Sequence, residues 1–539
     1  MSQTPVLLIG LDGVDFRYLD AFRKDLQHIN RIRDDGVESS LASVHPPWTG
    51  SAWPSMYTGL DPSHHGVYDF FNYNNVYPDD AEVVTRNSVR APAIWNYLTE
   101  LDIQSIVLNM PITHPAEELN GVLVPGYLAS KSEDGYPPGI RQELSDALGY
   151  SYNIYSEYET SEISPKKING YDRLIRERTD AAVHLLESKP WDFALIQVQK
   201  TDTVFHNSSS KEDFRRIYRA ADDLVGRVTE VCPTHTNIIL CSDHGMGPVT
   251  GYMVYINQLL MNHGFVEPTS EQTSRGPGEI KEDTDPSNET NQLRGFFNRF
   301  SGLVQRSRLN PAAVYRVAQR IGIENQIMEM LPDGIKESLT RGVDWRESVA
   351  YCRSGSEQGI RINIESRDHA GVVAQKEYEQ TRSEIIDLLT DLKTPEGNPV
   401  FEYVRPREEV YKGPYSEHAC DILFRTSDMS HMISPKLYGE VFVPTDIYNH
   451  KDTGIFVASG PDINTDWMEG PLSLLDVAPI VFGLINQPVP EQMMGSIPEG
   501  LVTNTVTRTV FDNVSFATDV AYSQDQGEIT DRLRDLGYL

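Results

Sequence analysis

Short apolar runs alternate with amphipathic stretches along this chain, and the alternation predicts strands joined by helices. The runs VLLIGLD (6–12), SIVLNM (105–110), FALIQVQ (193–199), NIILCSD (237–243) and GIFVASG (454–460) have strand length and carry apolar or β-branched side chains almost throughout. Between them lie helical patterns such as SPKKINGYDRLIRERTDAAVHLLESK, which stops before Pro190. Continuous apolar strands are buried on both faces, so the pattern predicts an α/β fold with a central, mostly parallel sheet and helices on each side. In such sheets ligands collect beyond the carboxyl ends of the strands. Asp12, Asp202, Asp243 and the segment around His450 all fall on or close to that edge.

The rhythm breaks after Gly251. The run 267–292, EPTSEQTSRGPGEIKEDTDPSNETNQ, is acidic and turn-rich and reads as a surface linker. Two helical patterns follow, NQLRGFFNRFSGLVQRS and NPAAVYRVAQRIGIENQIMEML. The expected organisation is a discontinuous catalytic domain over 1–260 and 345–510, an acidic linker and helical cap inserted at 266–345, and a polar tail at 511–539. Within the second part, strand-like GIRINIE and CDILFR flank a helix over 375–392.

Composition narrows the function. With 539 residues and 39% hydrophobic content the chain can bury one large core plus an insertion. Its net charge of −31 repels nucleic acid and anionic membranes, so neither is an expected partner. Carboxylates spread over the surface also suit high salt, where charges are screened within a few ångströms; a halophilic source is the expectation. No run approaches the roughly 18 apolar residues of a membrane-spanning helix. The opening MSQTPVLLIGLDGVD lacks a basic region and a cleavage pattern, so it reads as a core strand, and a cytoplasmic location follows. Cys232, Cys241, Cys352 and Cys420 stand far apart without a CxxC pair, which suggests reduced, buried thiols.

The candidate chemistry lies at the strand ends. Asp12 ends the first apolar run before Gly13 and could ligate a metal, although an Asp there is commonly a helix cap. Asp202 and His206 form D-x-x-x-H, which places both on one face of a helix, as chelators or as an ordinary helical contact. Asp243 and His244 project from a strand end into the glycine turn of SDHGMG, where a buried structural histidine is the alternative. His450, just before GIFVASG, is the least specific. Thr49 precedes SAWPSMYTG, a predicted short helix whose amino end carries free N–H groups and partial positive charge. By itself it reads as a cap; beside bound metals its hydroxyl becomes a nucleophile able to attack phosphate esters. Lys200, Arg86, Arg361 and Arg367 could pair with phosphate, with salt-bridging the ordinary role of each.

These residues together carry a resemblance. The set LDGVD, T-x-S-x-W-P-S-x-x-T-G-L-x-P-x-x-H-G, D-x-x-x-H, SDHGM and H-x-x-x-G-I-F-V-A-S-G-P resembles the alkaline phosphatase superfamily, in its type I phosphodiesterase and nucleotide pyrophosphatase branch. LLDVAPIVFGLINQPVPEQMMG resembles that family's closing helix and loop, and NMPITHPAEELNGVLVPGYL a stretch common in archaeal members, which with the charge suggests a haloarchaeal one. The resemblance implies a hydrolase of phosphate esters or nucleotides with Thr49 as nucleophile. It implies one metal among Asp12, Asp243, His244 and Thr49 and a second held by Asp202, His206 and His450; zinc suits the mixed set of imidazoles and carboxylates, and manganese is the alternative. A phospho-threonine-type intermediate and retention at phosphorus follow from such a nucleophile.

One position departs from the family. Where characterised relatives carry an asparagine that binds a non-bridging oxygen, this chain has Phe70, flanked by Asp69 and Asn72. Asn72, or the backbone N–H of Gly50, is the expected substitute. A phosphomonoesterase or phosphonate hydrolase on the same site is the rival reading, and a catalytically inactive binding scaffold the rival of another class. The complete ligand set argues against the scaffold. A sulfatase is disfavoured because no C-x-P-x-R or S-x-P-x-R motif is present.

Overall fold

The computed structural model describes residues 4–73, 81–159, 164–269, 342–468 and 470–516. Its strands include β1 (Val6–Leu11), β2 (Val37–Ala42), β3 (Ser105–Leu108), β4 (Gly121–Val124), β5 (Phe193–Val198), β6 (Asn237–Cys241) and β7 (Gly245–Val249). They continue with β8 (Ala350–Tyr351), β9 (Gly359–Ile362), β10 (Phe401–Pro406), β11 (Ile422–Thr426), β12 (Ile447–Lys451), β13 (Thr453–Ser459) and β14 (Leu472–Ser473). The helices that matter below are α1 (Thr49–Thr58), α2 (Pro165–Ser188), α3 (Lys200–Asn207), α4 (Lys211–Glu230) and α5 (Tyr378–Thr390).

Eight strands form the central sheet in the order β14-β2-β13-β6-β1-β5-β3-β4. β1 runs parallel to β5 and β6, and β3 parallel to β5 and β4. Alternate side chains of β1 enter two different cores, as the pleat requires: Val6 and Leu8 join one hydrophobic cluster, and Leu7, Ile9 and Leu11 the other. Both cores are closed by helices, α1 on the first face and α2 with α4 on the second. All six residues of β1 are buried, and each large apolar side chain so buried contributes about 2 kcal/mol of transfer free energy.

β13 is the exception to the parallel pattern: it pairs antiparallel with both β6 and β2. Its start therefore lies on the rim where β1, β5 and β6 end, which delivers the preceding strand β12 and His450 to that rim. β2 also ends there, opposite the start of β13 (Ala42 pairs with Thr453), and leads into the segment that carries Thr49. The one reversed strand thus adds the β12–β13 segment to a rim where β1, β5, β6 and β2 all end.

Residues 350–426 build a separate antiparallel sheet, in the order β8-β9-β11-β10, under α5. Ile360, Ile362, Ile385, Leu389 and Phe424 give it its own core. It joins the main body through polar contacts: Ser356 Oγ donates to Asp69 Oδ1 (2.6 Å), and Tyr403 Oη meets His45 Nδ1 (3.0 Å). Most of the sequence-predicted linker and helical cap, residues 270–341, lies outside the described residues, as do 517–539 of the tail. Glu267–Pro268 pairs antiparallel with Val343–Asp344, so the chain leaves and re-enters this part of the fold side by side.

The four cationic side chains considered for phosphate binding are each in an ion pair. Arg86 Nε is 2.7 Å from Glu117 Oε1, Arg361 Nη2 is 2.6 Å from Asp368 Oδ1, Arg367 Nη1 is 2.7 Å from Asp421 Oδ1, and Lys200 pairs with Glu159. Among the described residues no helix is long and apolar enough to cross a membrane.

Candidate metal centre and nucleophile

Asp12 follows β1, Asp202 stands in the first turn of α3 just past β5, and Asp243 and His244 follow β6. All four are buried, as are Thr49 and His450. Gly13 makes the assembly possible: it has a positive φ of 64°, and a Cβ on it would lie 3.0 Å from Asp202 Cβ. Its N–H also donates to Asp243 Oδ1 at 3.2 Å.

Asp12 has one oxygen committed and one available. Oδ2 accepts from Trp53 Nε1 and from Gln197 Nε2, each at 2.8 Å. Oδ1 faces the site, 3.3 Å from Thr49 Oγ1, which donates to it, and 3.6 Å from His244 Nε2. Thr49 is thus the first residue of α1 without being its cap; Trp48 occupies the N-cap position and makes no side-chain capping bond. Gly50 is the second residue, packed so closely that a Cβ there would meet the Asp69 carbonyl and the Phe70 ring at 3.2 Å.

The histidines present one nitrogen each to the middle. His244 Nδ1 bonds the Gly245 carbonyl (3.0 Å) and His450 Nδ1 the Pro47 carbonyl (3.1 Å), so in each Nδ1 carries the proton and Nε2 keeps its lone pair. The two rings stack at 3.8 Å. His206 Nε2 lies 3.2 Å from His450 Nε2, and Asp202 Oδ1 lies 3.3 and 3.4 Å from these two nitrogens.

Two groups of donor atoms are compact enough to hold a cation: Asp202, His206 and His450, and Asp12, Asp202 and His244, each within 4.8 Å. Asp202 belongs to both. Asp243 Oδ2 sits 3.3 Å from His244 Nε2. Both oxygens of Asp202, Asp243 Oδ2 and His244 Nε2 are buried without a hydrogen-bond partner. Buried carboxylates are ordinarily paired or metal-bound, so these orphaned atoms fit divalent cations.

The electrostatics point the same way. Burial, with Asp243 and Asp202 adding to it, pushes the Asp12 carboxyl well above the usual range. Burial raises Asp243 as well, with Asp202 adding and the Gly13 N–H opposing. Asp202 is held well below the range despite its burial, because His206 beside it outweighs that penalty. Burial and His244 bring His450 down to about 3, so its imidazole is neutral at pH 7. Cation binding to such a set releases protons from the carboxyls and removes their mutual repulsion.

The sequence profile described as Type I phosphodiesterase / nucleotide pyrophosphatase matches residues 6–454. That span encloses every candidate ligand from Asp12 to His450. The chain belongs to this family. Among curated members it is similar to venom phosphodiesterase 2 of Crotalus adamanteus, 21% identical over 259 residues, covering 46% of this chain and 28% of that protein. It is also similar to ectonucleotide pyrophosphatase/phosphodiesterase family member 3 of Rattus norvegicus, 24% identical over 252 residues, or 46% of this chain and 25% of that protein. The matches thus span little more than a quarter of those relatives. The fold of this phosphodiesterase-family chain is also that of a crystallised phosphonoacetate hydrolase from Sinorhizobium meliloti 1021, with a TM-score of 0.56 at 16% identity over 90% of this chain and 95% of that one.

Two residues next to the site were not anticipated from the sequence, Trp53 and Gln197, the donors to Asp12. The signal for Gln197 was present, since it is the one polar residue in the buried strand FALIQV. Asn72 lies in a short strand with its Nδ2 donating to Ser88 Oγ at 2.9 Å. Phe70 is buried, with its ring edge-on to Tyr127 at 6.4 Å.

Asp69, between Gly50 and the antiparallel lobe, yields a pH prediction. Burial, with Glu357 adding, pushes its pKa up to about 6 against the bonds from Ser356 and the Phe70 N–H. A carboxyl raised on folding contributes stability below its unfolded pKa and loses it as pH rises through about 6. Asp69→Asn is expected to remove on the order of 3 kcal/mol of stability loss between pH 4 and pH 7. Denaturant melts of both proteins across that window check this; parallel pH profiles would contradict it.

Proposed function

We propose that this chain is a metal-dependent phosphodiesterase of the nucleotide pyrophosphatase type, with Thr49 as its nucleophile. The observation that carries the reading is Thr49 Oγ1 at the head of α1, on the free oxygen of Asp12 and beside six acidic and imidazole donors. Asp12, Asp243 and His244, with Thr49, would hold one divalent cation, and Asp202, His206 and His450 the other; zinc suits these donors and manganese is the alternative. When bound, the cations supply positive charge that lowers the pKa of a hydroxyl and offsets the charge of phosphate oxygens.

The protein's own groups do the rest. Asp12 accepts the Thr49 hydroxyl proton in a hydrogen bond and so aims its lone pairs outward from the head of α1. Attack by Thr49 Oγ on phosphorus forms a phospho-threonine-type ester as the bond to the leaving oxygen breaks, the hydroxyl proton departing with the alcohol; water then cleaves that ester, its hydroxyl going to phosphorus and its proton back to Thr49 Oγ. The Gly50 N–H at the positive end of α1 and Asn72, once its amide turns from Ser88, are the proposed ligands of a non-bridging oxygen. The substrate is a small phosphate ester or nucleotide rather than nucleic acid, since a net charge of −31 disfavours a polyanion. The same charge supports function in a salt-rich cytoplasm of a haloarchaeal kind.

A phosphomonoesterase or phosphonate hydrolase is the second reading, favoured by Phe70 at the usual asparagine position and by the length-wide fold match to phosphonoacetate hydrolase. Rates on bis-p-nitrophenyl phosphate, p-nitrophenyl phosphate and phosphonoacetate, in high salt with zinc or manganese, separate these. Faster diester cleavage is expected. Preferred monoester or phosphonate cleavage would establish the second reading, and no turnover by protein holding two metals would indicate a binding scaffold.

A further inference from the structure

Asp12 ends a chain of hydrogen bonds that begins at a buried guanidinium outside the donor cluster. Arg178 Nε donates to Asn109 Oδ1 at 3.0 Å, Asn109 Nδ2 donates to Gln197 Oε1 at 3.1 Å, and Gln197 Nε2 donates to Asp12 Oδ2 at 2.8 Å. Asn109 Nδ2 also bonds the Gln197 backbone carbonyl at 2.9 Å. Every member is buried. Arg178 is itself anchored, with Nη1 and Nη2 donating to the carbonyls of Asn153 and Ile154 and its guanidinium over the Tyr152 ring.

The polarity of this chain is dictated by its first member. A guanidinium only donates, so Asn109 must turn its oxygen to Arg178 and its NH2 to Gln197. Gln197 must then accept on Oε1, which leaves only Nε2 to face Asp12. A freely rotating glutamine could offer Asp12 either end; this one is held with the donor inward. Asn109 keeps its place in the chain with a left-handed backbone, φ 64°, which only a minority of non-glycine residues adopt.

We infer that Gln197, with its orientation set by Asn109 and Arg178, is a positioning residue that holds Asp12 Oδ2 so that Oδ1 is presented to Thr49 and a cation. The inference rests on the reading of Asp12 as a metal ligand. Partners that orient a ligand in this way commonly change metal affinity by about 10–100-fold when removed.

The decisive variant is Asn109→Asp, which does not touch Asp12. The introduced carboxylate still accepts from Arg178 but cannot donate to Gln197, so the Gln197 amide is no longer held with its NH2 toward Asp12. Gln197→Met removes the donor directly at similar volume. For the full chain and both variants, the affinity for Zn2+ or Mn2+ alone is measured by chelator competition, together with thermal unfolding of the metal-free proteins. The expected result is a metal Kd weakened by about 10–100-fold in both variants. Lowered metal-free Tm with Kd within threefold of wild type in both would overturn the positioning role and leave only a structural one. Wild-type protein that takes up no metal would overturn the underlying reading as well.

Discussion

Thr49→Ala is expected to lower turnover of a diester substrate by at least about 10⁴-fold, the scale on which loss of a catalytic nucleophile acts. The change deletes one hydroxyl and a methyl at a buried position whose neighbours, Asp12, Gly50 and Trp53, keep their own contacts. Metal uptake and folding are expected to persist, because the remaining acidic and imidazole donors do not involve Thr49. Thr49→Ser retains the hydroxyl at the head of α1 and should retain most of the rate. Steady-state kinetics with metal content determined in parallel provide the check; an alanine variant that turns over within tenfold of wild type removes Thr49 from the chemistry.

The second large effect is expected at Asp202, the carboxylate shared by the two donor groups. Asp202→Asn leaves His206 and His450 with a neutral neighbour and removes the one anionic ligand of the cation proposed there, so turnover should fall by more than about 10³-fold, beyond the loss of a single transition-state donor. The same substitution is expected to reduce metal-dependent stabilisation. In the wild type, a cation at 100 times its Kd should add about 2.7 kcal/mol, and a chelator should remove it. Melting curves with and without metal read this directly. A variant that keeps the full metal-dependent shift would show that Asp202 is not a ligand.

Much of the architecture was legible because the relevant physics is local. β1, β3, β5 and β6 were each apparent as short apolar runs, and α2 as an amphipathic stretch closed by Pro190. Each candidate ligand alone had a structural alternative, as a cap, a helical contact or a buried histidine; they stood out together because they converge on strand ends and match the family's motifs. What escaped depends on pairing across the chain. GIFVASG reads as a strand in either direction, and only the sheet shows that β13 runs backwards and carries His450 to the common rim. The strands around 350–426 were recognisable singly, but their closure into a separate antiparallel sheet was not. Gln197 passed as part of a core strand and Trp53 as part of an apolar helix, since a pattern of hydrophobicity does not say that two buried N–H groups converge on one carboxylate. The double membership of Asp202 is likewise a matter of distances between segments remote in sequence.

The central claim, a covalent ester on Thr49, is tested most directly by the stereochemical course at phosphorus. The substrate is a chiral phosphorothioate diester, hydrolysed in isotopically labelled water by the metal-loaded protein. Two successive in-line displacements, the first by Thr49 and the second by water, predict overall retention. Net inversion would mean that water attacks the substrate in a single step, and would contradict the account.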